Sequence, residues 1–174
     1  VDIDNDGYLD LYVAGYEIWQ KAVYADTLYR NVGGKDFAAH ELPKTRNMSA
    51  RGVSAADFDA DGDVDIYVSN YRLFPNRLWR NDGGEKFTEI ATPSGTAGDG
   101  GLGAWGHTIG SAWGDLDNDG YLDLFVGNFS HPPAYQDRPK FLRNRGTDGK
   151  FAFEDKSSGA GLHWQESYSQ PRPC

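Results

Sequence analysis

Asp57-Phe58-Asp59-Ala60-Asp61-Gly62-Asp63-Val64-Asp65 is the middle of three copies of one acidic pattern, D-x-D-x-D-G-x-x-D. The other copies are Asp2-Ile3-Asp4-Asn5-Asp6-Gly7-Tyr8-Leu9-Asp10 and Asp115-Leu116-Asp117-Asn118-Asp119-Gly120-Tyr121-Leu122-Asp123. Their first aspartates lie 55 and 58 residues apart along the chain. A period in this range is typical of stacked supersecondary units. We therefore expect the chain to consist of repeated copies of one structural unit.

The acidic loops predict bound calcium. Aspartates at positions 1, 3, 5 and 9 would repel one another in a tight loop unless a cation lies between them. Ca²⁺ takes about 6–8 oxygen ligands, whereas zinc and copper favour His or Cys and magnesium rarely uses a dedicated protein cage. Glycine at position 6 permits the sharp turn, and position 7 offers its backbone carbonyl. A solvated acidic turn would explain one copy, but three copies favour one Ca²⁺ per loop.

The predicted ligands are the residues at positions 1, 3, 5, 7 and 9 of each loop: Asp2, Asp4, Asp6, Tyr8, Asp10, Asp57, Asp59, Asp61, Asp63, Asp65, Asp115, Asp117, Asp119, Tyr121 and Asp123. An EF-hand would need Glu at position 12 and flanking helices. Position 12 is Val13, Val68 and Val126 instead, within short runs rich in β-branched and aromatic residues. Such runs predict strands, so the loops do not belong to EF-hands.

One order of elements follows each loop. A buried strand comes first, then a variable loop, then a strand ending in Arg-Asn, an Asn-x-Gly turn and a last strand. The Asn-x-Gly turns are Asn31-Val32-Gly33, Asn81-Asp82-Gly83 and Asn144-Arg145-Gly146, and the last strands begin at Phe37, Phe87 and Phe151. A further strand precedes the second and third loops, at Gly52–Ala56 and Ile109–Trp113. The sequence therefore predicts four antiparallel strands in each complete unit. Radial repetition of such sheets is typical of a β-propeller.

These residues resemble the FG-GAP/VCBS-type repeats found in integrin α-subunits, cartilage acidic protein-like proteins and many secreted bacterial proteins. The calcium loop followed by Arg-Asn-x-Gly, with a phenylalanine four or five residues after the glycine, carries the resemblance over nearly the whole chain. The Phe-Gly and Gly-Ala-Pro signatures of the integrin repeat and an Arg-Gly-Asp sequence are absent. The resemblance is therefore closer to the cartilage acidic protein and bacterial branch than to the integrins. It implies an all-β protein made of β-propeller blades.

The repeat predicts how the chain divides into blades. Residues 1–46 form a partial blade with a calcium loop and strands 2 to 4, 47–103 a second blade, 104–160 a third, and 161–174 the start of a further blade. Propellers usually have about four to eight blades. We therefore expect these blades to belong to a larger propeller. The alternative is a short chain that closes a ring as a homo-oligomer.

Charge and composition indicate which classes of partner and which cellular location to expect. The net charge is −9, but the three loops hold 13 of the 26 acidic residues. The acidity is thus mainly that of metal ligands, and we expect no nucleic-acid partner. The longest stretch without Asp, Glu, Lys or Arg, 100–114, is too short to span a bilayer. Calcium sites fill most readily outside the cytoplasm, which predicts an extracellular, cell-surface or periplasmic protein. The single cysteine, Cys174, could be paired or free.

The resemblance places partner binding on the face opposite the calcium loops. Aromatic residues and histidines there suit a protein or a glycan partner, although packing between blades would explain each of them as well. The candidates are Tyr16, Trp19, Tyr24, Tyr71, Phe74, Phe129, His131, Tyr135, Trp105, His107 and Trp164.

No catalytic motif is present: the chain contains no nucleophile elbow, phosphate loop or Ser-His-Asp order. We therefore expect a non-catalytic, calcium-stabilised propeller for extracellular binding, adhesion or assembly. The alternative is a carbohydrate-active propeller, either a lectin or a polysaccharide lyase, which rests on analogy of fold. The repeated arginines could form an anion-binding ring, but we expect each to pair with a carboxylate or carbonyl of its own blade. These arginines are Arg30, Arg80 and Arg143.

Overall fold

The computed structural model describes residues 1–98, 105–129 and 138–160. Their secondary structure is almost entirely β, as the sequence predicts. The strands are β1 (Leu11–Val13), β2 (Glu17–Ile18), β3 (Ala22–Val23), β4 (Thr27–Val32), β5 (Asp36–His40), β6 (Ala50–Ala56), β7 (Asp65–Asn70), β8 (Arg77–Asn81), β9 (Phe87–Glu89), β10 (Thr108–Gly114), β11 (Asp123–Asn128), β12 (Lys140–Asn144) and β13 (Phe153–Asp155). The helix α1 (Ala91–Ser94) is a single turn. Within these ranges, no helix has the length and apolar character that a membrane crossing requires.

Three antiparallel sheets follow one another along the chain. We name them blade 1 (β1-β4-β5), blade 2 (β6-β7-β8-β9) and blade 3 (β10-β11-β12-β13). The small hairpin β2-β3 lies between β1 and β4. The predicted fold class is confirmed, because two of the sheets have the four-stranded antiparallel order of a propeller blade. The blade boundaries given by the sequence stay predictions.

The cores lie between the blades. One apolar cluster joins Ile3 and Leu28 of blade 1 to Ile66, Val68 and Trp79 of blade 2, among others. A second cluster joins blade 2 to blade 3 in the same way, with Phe58 in the place of Ile3. Position 2 of the first and second acidic loops is therefore part of the core, because Ile3 and Phe58 each fill the gap between their own blade and the next. Each interface depends on two successive units.

The last strand of blade 3 begins later than the sequence predicts. Asn144 pairs with Phe153, as Asn81 pairs with Phe87 and Asn31 with Phe37. The prediction that this strand begins at Phe151 was wrong, because the turn after Asn144 is three residues longer than its counterparts. Phe151 lies in that turn with a φ of 55°. The phenylalanine at 153 takes the buried position instead.

The strand after the first loop is also less buried than predicted. All six residues of β7 are buried, whereas β1 has Leu11 and Val13 exposed. In blades 2 and 3 the corresponding residues pack against the preceding blade. Within the described residues, no sheet covers that side of blade 1.

Candidate metal centres and the opposite face

The three acidic loops have one backbone conformation. The glycine at position 6 has a φ of 87°, 95° or 90° in Gly7, Gly62 and Gly120, as the predicted sharp turn requires. Its N–H donates to the carboxylate at position 1, with N–O distances of 3.0 Å in all three loops. The N–H of position 7 donates to the carboxylate at position 5, at 2.8–3.0 Å. The carboxylates therefore fold inward over the turn.

Position 4 of each loop is left-handed as well, which the sequence did not indicate. Asn5, Ala60 and Asn118 have φ values of 57°, 58° and 58°. Asn tolerates this region, but Ala carries a Cβ that disfavours it by about 1 kcal/mol or more. Blade 2 thus holds a strained residue in the middle of its acidic loop.

Three carboxylates converge in each loop. Asp2, Asp4 and Asp6 each offer an oxygen, and these oxygens lie within 4.8 Å of one another. The second loop brings together Asp57, Asp59 and Asp61 in the same way, and the third brings together Asp115, Asp117 and Asp123. Positions 1 and 3 therefore meet in every loop, whereas position 5 or position 9 supplies the third oxygen.

Two of these aspartates have a buried carboxylate oxygen without a hydrogen-bond partner among the described residues. The oxygens are Oδ1 of Asp2 and Oδ1 of Asp59, and both residues belong to the converging sets. Burial, followed by the charges of Asp61 and Asp57, raises the pKa of Asp59 to about 6. A buried acceptor without a partner is costly, and a cation would satisfy it. The donor set is all oxygen, so the residues present fit a hard divalent cation such as Ca²⁺.

The aspartate at position 9 braces the loop, a role that the spacing did not reveal. One oxygen of Asp65 accepts the N–H of Phe58 at 3.0 Å, and the other accepts the N–H of Asn81 at 2.8 Å. Asp10 and Asp123 accept the corresponding pairs of N–H groups in their blades. Burial raises the pKa of Asp65 to about 8, although the two N–H donors act in the opposite direction. Position 9 therefore ties the loop to the third strand of its own blade.

Two of the three repeated arginines contact the acidic loops. Arg143 contacts Asp117 and lies 2.8 Å from Asp119, and Arg30 lies 3.3 Å from Asp4. Arg80 instead lies 2.6 Å from Asp82, so Asp59 is left without this partner. The prediction that each arginine pairs within its own blade is confirmed, and Arg30 additionally contacts Glu85 of blade 2 at 3.1 Å. The guanidinium groups offset part of the loops' negative charge.

The residue at position 7 keeps its side chain outside the carboxylate cluster. Tyr121 lies over Gly146, where an added Cβ would come within 2.3 Å of the ring. Tyr8 lies over Gly34 in blade 1 in the same way, at 2.9 Å. Asn31 Oδ1 accepts the N–H of Gly34 at 2.9 Å, so the glycine that matters in blade 1 is one residue later than the predicted Gly33. These glycines provide space for the position-7 side chain.

Comparison with known proteins identifies the repeat. The FG-GAP-like repeat family matches residues 2–68 and 70–126, which make up most of the chain. The chain belongs to the FG-GAP-like repeat family. It is also similar to Cartilage acidic protein 1 of Xenopus tropicalis, with 24% identity over 181 residues. That alignment covers 99% of this chain and 25% of the relative, so the chain spans about a quarter of the relative's length.

Aromatic side chains cluster at the end of the blades that lies opposite the acidic loops. Tyr16 and Tyr24 flank the β2-β3 hairpin and stack with their ring centroids 4.5 Å apart. Trp19, at the hairpin turn, is 58% exposed and lies 3.6 Å from the guanidinium of Arg72. Glu17 contacts the same arginine. We name Tyr16, Trp19 and Tyr24 the aromatic hairpin patch.

Some of the other candidate partner residues are packed inside the protein, and others are exposed to solvent. Tyr71 contacts His107 with ring centroids 4.7 Å apart, and His107 is buried. Trp105 packs against the core between blades 2 and 3, which favours a structural role for it. Phe74 lies under the guanidinium of Arg46, and Phe129 is exposed. His131, Tyr135 and Trp164 lie outside the described residues.

Proposed function

We propose that each acidic loop binds one Ca²⁺ and that the bound ions hold the blades of an extracellular binding protein in shape. The observation that carries the proposal is the pair of buried, unpartnered carboxylate oxygens on Asp2 and Asp59, each within a converging set of three carboxylates. Membership of the FG-GAP-like repeat family supports it, as does the acidity concentrated in the loops.

Calcium would be held by the carboxylates at positions 1 and 3, by the carboxylate at position 5 or position 9, and by the carbonyl at position 7. When bound, the ion supplies positive charge that removes the repulsion among these carboxylates. Position 9 keeps its backbone N–H partners and holds the loop against the third strand, as Asp65 does with Phe58 and Asn81. The proposed role is structural, because the carboxylates of each loop are taken up by the ion, by backbone N–H groups or by arginines.

The second loop gives the sharpest test of calcium binding. We expect Asp59→Ala to remove one of three bound Ca²⁺ ions, because Asp59 contributes a buried, unpartnered oxygen to the converging carboxylates of the second loop and alanine offers no ligand in its place. Asp63→Ala is the matched control, since position 7 of the same loop is predicted to bind through its carbonyl. Calorimetric titration of chelator-treated protein counts the ions. Equal stoichiometry in Asp59→Ala and wild type, or loss of an ion in Asp63→Ala, would contradict the ligand assignment.

We further propose that the protein is exported and non-catalytic and that it binds a macromolecule through the aromatic hairpin patch. Exposed aromatic side chains are characteristic of binding hot spots. Free calcium is abundant outside the cytoplasm, which suits sites of extracellular strength. The similarity to Cartilage acidic protein 1 supports export. The favoured partner is a protein of the extracellular matrix or the cell surface.

A glycan is the second candidate for the same patch. The stacked Tyr16 and Tyr24 and the exposed Trp19 present flat apolar rings beside Arg72 and Glu17, an arrangement that suits a sugar ring. This observation favours a lectin over an enzyme, since the carboxylate of Glu17 is engaged by Arg51 and Arg72 and the tyrosines present stacked ring faces.

Trp19→Ala is expected to weaken partner binding by about tenfold or more, since a hot-spot aromatic contributes roughly 2 kcal/mol or more. The probes are an array of sulfated and neutral glycans and a panel of purified extracellular-matrix proteins. Leu9→Ala is the control, because Leu9 is an apolar side chain that is more exposed than Trp19 but lies on an acidic loop. Binding that Trp19→Ala leaves intact, or no binding to either panel, would contradict the role of the patch. Release of unsaturated, ultraviolet-absorbing sugar product would contradict a non-catalytic protein.

A further inference from the structure

Acidic loops of neighbouring blades contact each other directly at the boundary between blades 1 and 2. We number the acidic loops 1, 2 and 3 in chain order. Asn5, at position 4 of loop 1, donates from its Nδ2 to Oδ1 of Asp63, at position 7 of loop 2, over 2.7 Å. The carbonyl oxygen of Gly62 lies 3.4 Å from the same nitrogen. We name the bond from Asn5 to Asp63 the amide link, and its charged acceptor makes it stronger than a neutral hydrogen bond.

The amide link joins residues whose positions the proposed metal sites would fix. Asn5 lies between Asp4 and Asp6, two members of the converging set of loop 1. Asp63 occupies position 7, whose carbonyl would bind the ion of loop 2. Without a cation, repulsion among the carboxylates of a loop opposes the conformation that brings them together. The link therefore has its observed geometry only while both loops hold that conformation, which a cation in each loop favours.

A second connection between successive loops is buried and occurs at both boundaries between blades. The Nδ2 of Asn81 donates to the carbonyl of Ile3, at position 2 of loop 1, over 2.9 Å. The backbone N–H of the same asparagine donates to Asp65, at position 9 of loop 2, over 2.8 Å. Asn144 connects loops 2 and 3 in the same way. This buried connection is therefore common to both pairs of loops and does not distinguish them.

Loops 2 and 3 have no amide link in the part of the chain that the structure describes, because position 4 of loop 2 is Ala60. The φ of Ala60 is 58° and that of Asn5 is 57°, so the two loops have the same backbone conformation there. At position 7 of loop 3, the ring of Tyr121 lies over Gly146 of its own blade. The two pairs of loops therefore share the buried connection and differ in the amide link.

We propose that loops 1 and 2 bind Ca²⁺ as a coupled pair, in which filling either loop raises the affinity of the other through the amide link. This coupling rests on the calcium sites proposed above. Filling loop 1 holds Asn5 in the position from which it donates to Asp63, so less ordering remains for loop 2 to undergo. The reverse effect is equal, because coupling between two binding sites is reciprocal. Asn5 is thus a positioning residue, and loop 3 is coupled more weakly to loop 2.

Calorimetric titration of chains with silenced loops measures the coupling. Asp117→Ala silences loop 3, and the further change Asp59→Ala or Asp4→Ala leaves only loop 1 or only loop 2. The coupling factor is the product of the two affinities in the two-site chain divided by the product of the two single-site affinities. We expect a factor of about five or more. Repulsion between two dications acts in the opposite direction, so the buffer contains about 0.15 M salt, at which the Debye length is about 8 Å.

Asn5→Ala in the same chains is expected to reduce the coupling factor to about one while both ions still bind. Its fold should persist, because Ala60 holds the same position and backbone conformation in loop 2, and circular dichroism with calcium present checks this. The matched control is the pair of loops 2 and 3, measured after Asp4→Ala silences loop 1. This pair keeps the buried connection but lacks the amide link, so its coupling factor should be close to that of Asn5→Ala.

An exchange of donor and acceptor separates the amide link from a general effect of changing Asn5. The double variant Asn5→Asp, Asp63→Asn can form the same hydrogen bond in the reverse direction. We expect it to restore a coupling factor of about five. Asn5→Asp alone places two carboxylates against each other and should remove the coupling.

The possible outcomes distinguish coupling from calcium binding itself. If loops 1 and 2 each bind an ion with a coupling factor of about one, the coupling is overturned and the proposed sites stand. If neither loop binds an ion, the proposed sites themselves are overturned. A factor that survives Asn5→Ala, that equals the factor of loops 2 and 3, or that the exchange does not restore would also overturn the coupling through the amide link.

Discussion

Excess EGTA is expected to lower the melting temperature of this chain by roughly 15–30 °C, and added Ca²⁺ is expected to restore it. A site filled at a hundredfold excess over Kd stabilises the folded state by about 2.7 kcal/mol, so three sites contribute about 8 kcal/mol. A change of 1 kcal/mol shifts the melting temperature of a chain of this size by about 2–4 °C. We expect the second loop to depend most on the ion, since Arg80 forms its ion pair with Asp82, whereas Arg30 and Arg143 contact the carboxylates of the other two loops.

Differential scanning calorimetry measures this shift. Magnesium at the same concentration is the control, because it keeps its waters and demands an octahedral shell, so it should restore little of the stability. A melting curve that is the same with EGTA and with calcium would contradict a structural role for the ion.

The largest effect of a single substitution is expected at a buried ion pair between blades 1 and 2. Arg77 of β8 and Asp26 lie 2.5 Å apart, and each side chain is only 4% exposed. Arg77 also donates to the carbonyl of Arg46, and Asp26 accepts the N–H of Gly15 at 2.6 Å. Arg77→Met would leave Asp26 charged and buried without its partner. We expect this substitution to cost about 3–5 kcal/mol of the free energy of unfolding.

Lys140 offers a matched control. It pairs with Val126 in blade 3 as Arg77 pairs with Val68 in blade 2, but its ion-pair partner Asp155 is 46% exposed, whereas Asp26 is 4% exposed. We expect Lys140→Met to cost less than about 1 kcal/mol. The double variant Arg77→Met, Asp26→Asn should be more stable than the sum of its single variants implies, because neither charge is then buried alone. Urea unfolding measures all four, and equal costs for Arg77→Met and Lys140→Met would contradict the argument.

The sequence was sufficient to predict the blades and the loops because each follows from local chemistry. Left-handed glycine at position 6 and alternating carboxylates bring positions 1 and 3 together in every loop. The strand before each complete loop also lies where the pattern predicts, at β6 and β10. Short-range spacing of this kind does not depend on neighbouring blades.

Other features depend on contacts that spacing does not encode. An aspartate at position 65 fits both a metal ligand and an acceptor for backbone N–H groups, so the sequence does not distinguish these roles. The second role is seen only from the N–H groups of Phe58 and Asn81, which donate to Asp65 in the structure. The link from Asn144 to the carbonyl of Phe58 joins residues of different blades. Phe151 and Phe153 both fit the pattern of a last strand, and the length of the preceding turn decides between them.

Anomalous X-ray diffraction from crystals grown with calcium is the most direct test of the metal centres. We predict one anomalous peak in each of the three loops, surrounded by about 6–8 oxygens at roughly 2.3–2.6 Å, with Asp59 Oδ1 among those of the second loop. Loops that give no peak at saturating calcium, with Asp4 and Asp117 still bonded to Arg30 and Arg143, would contradict the account.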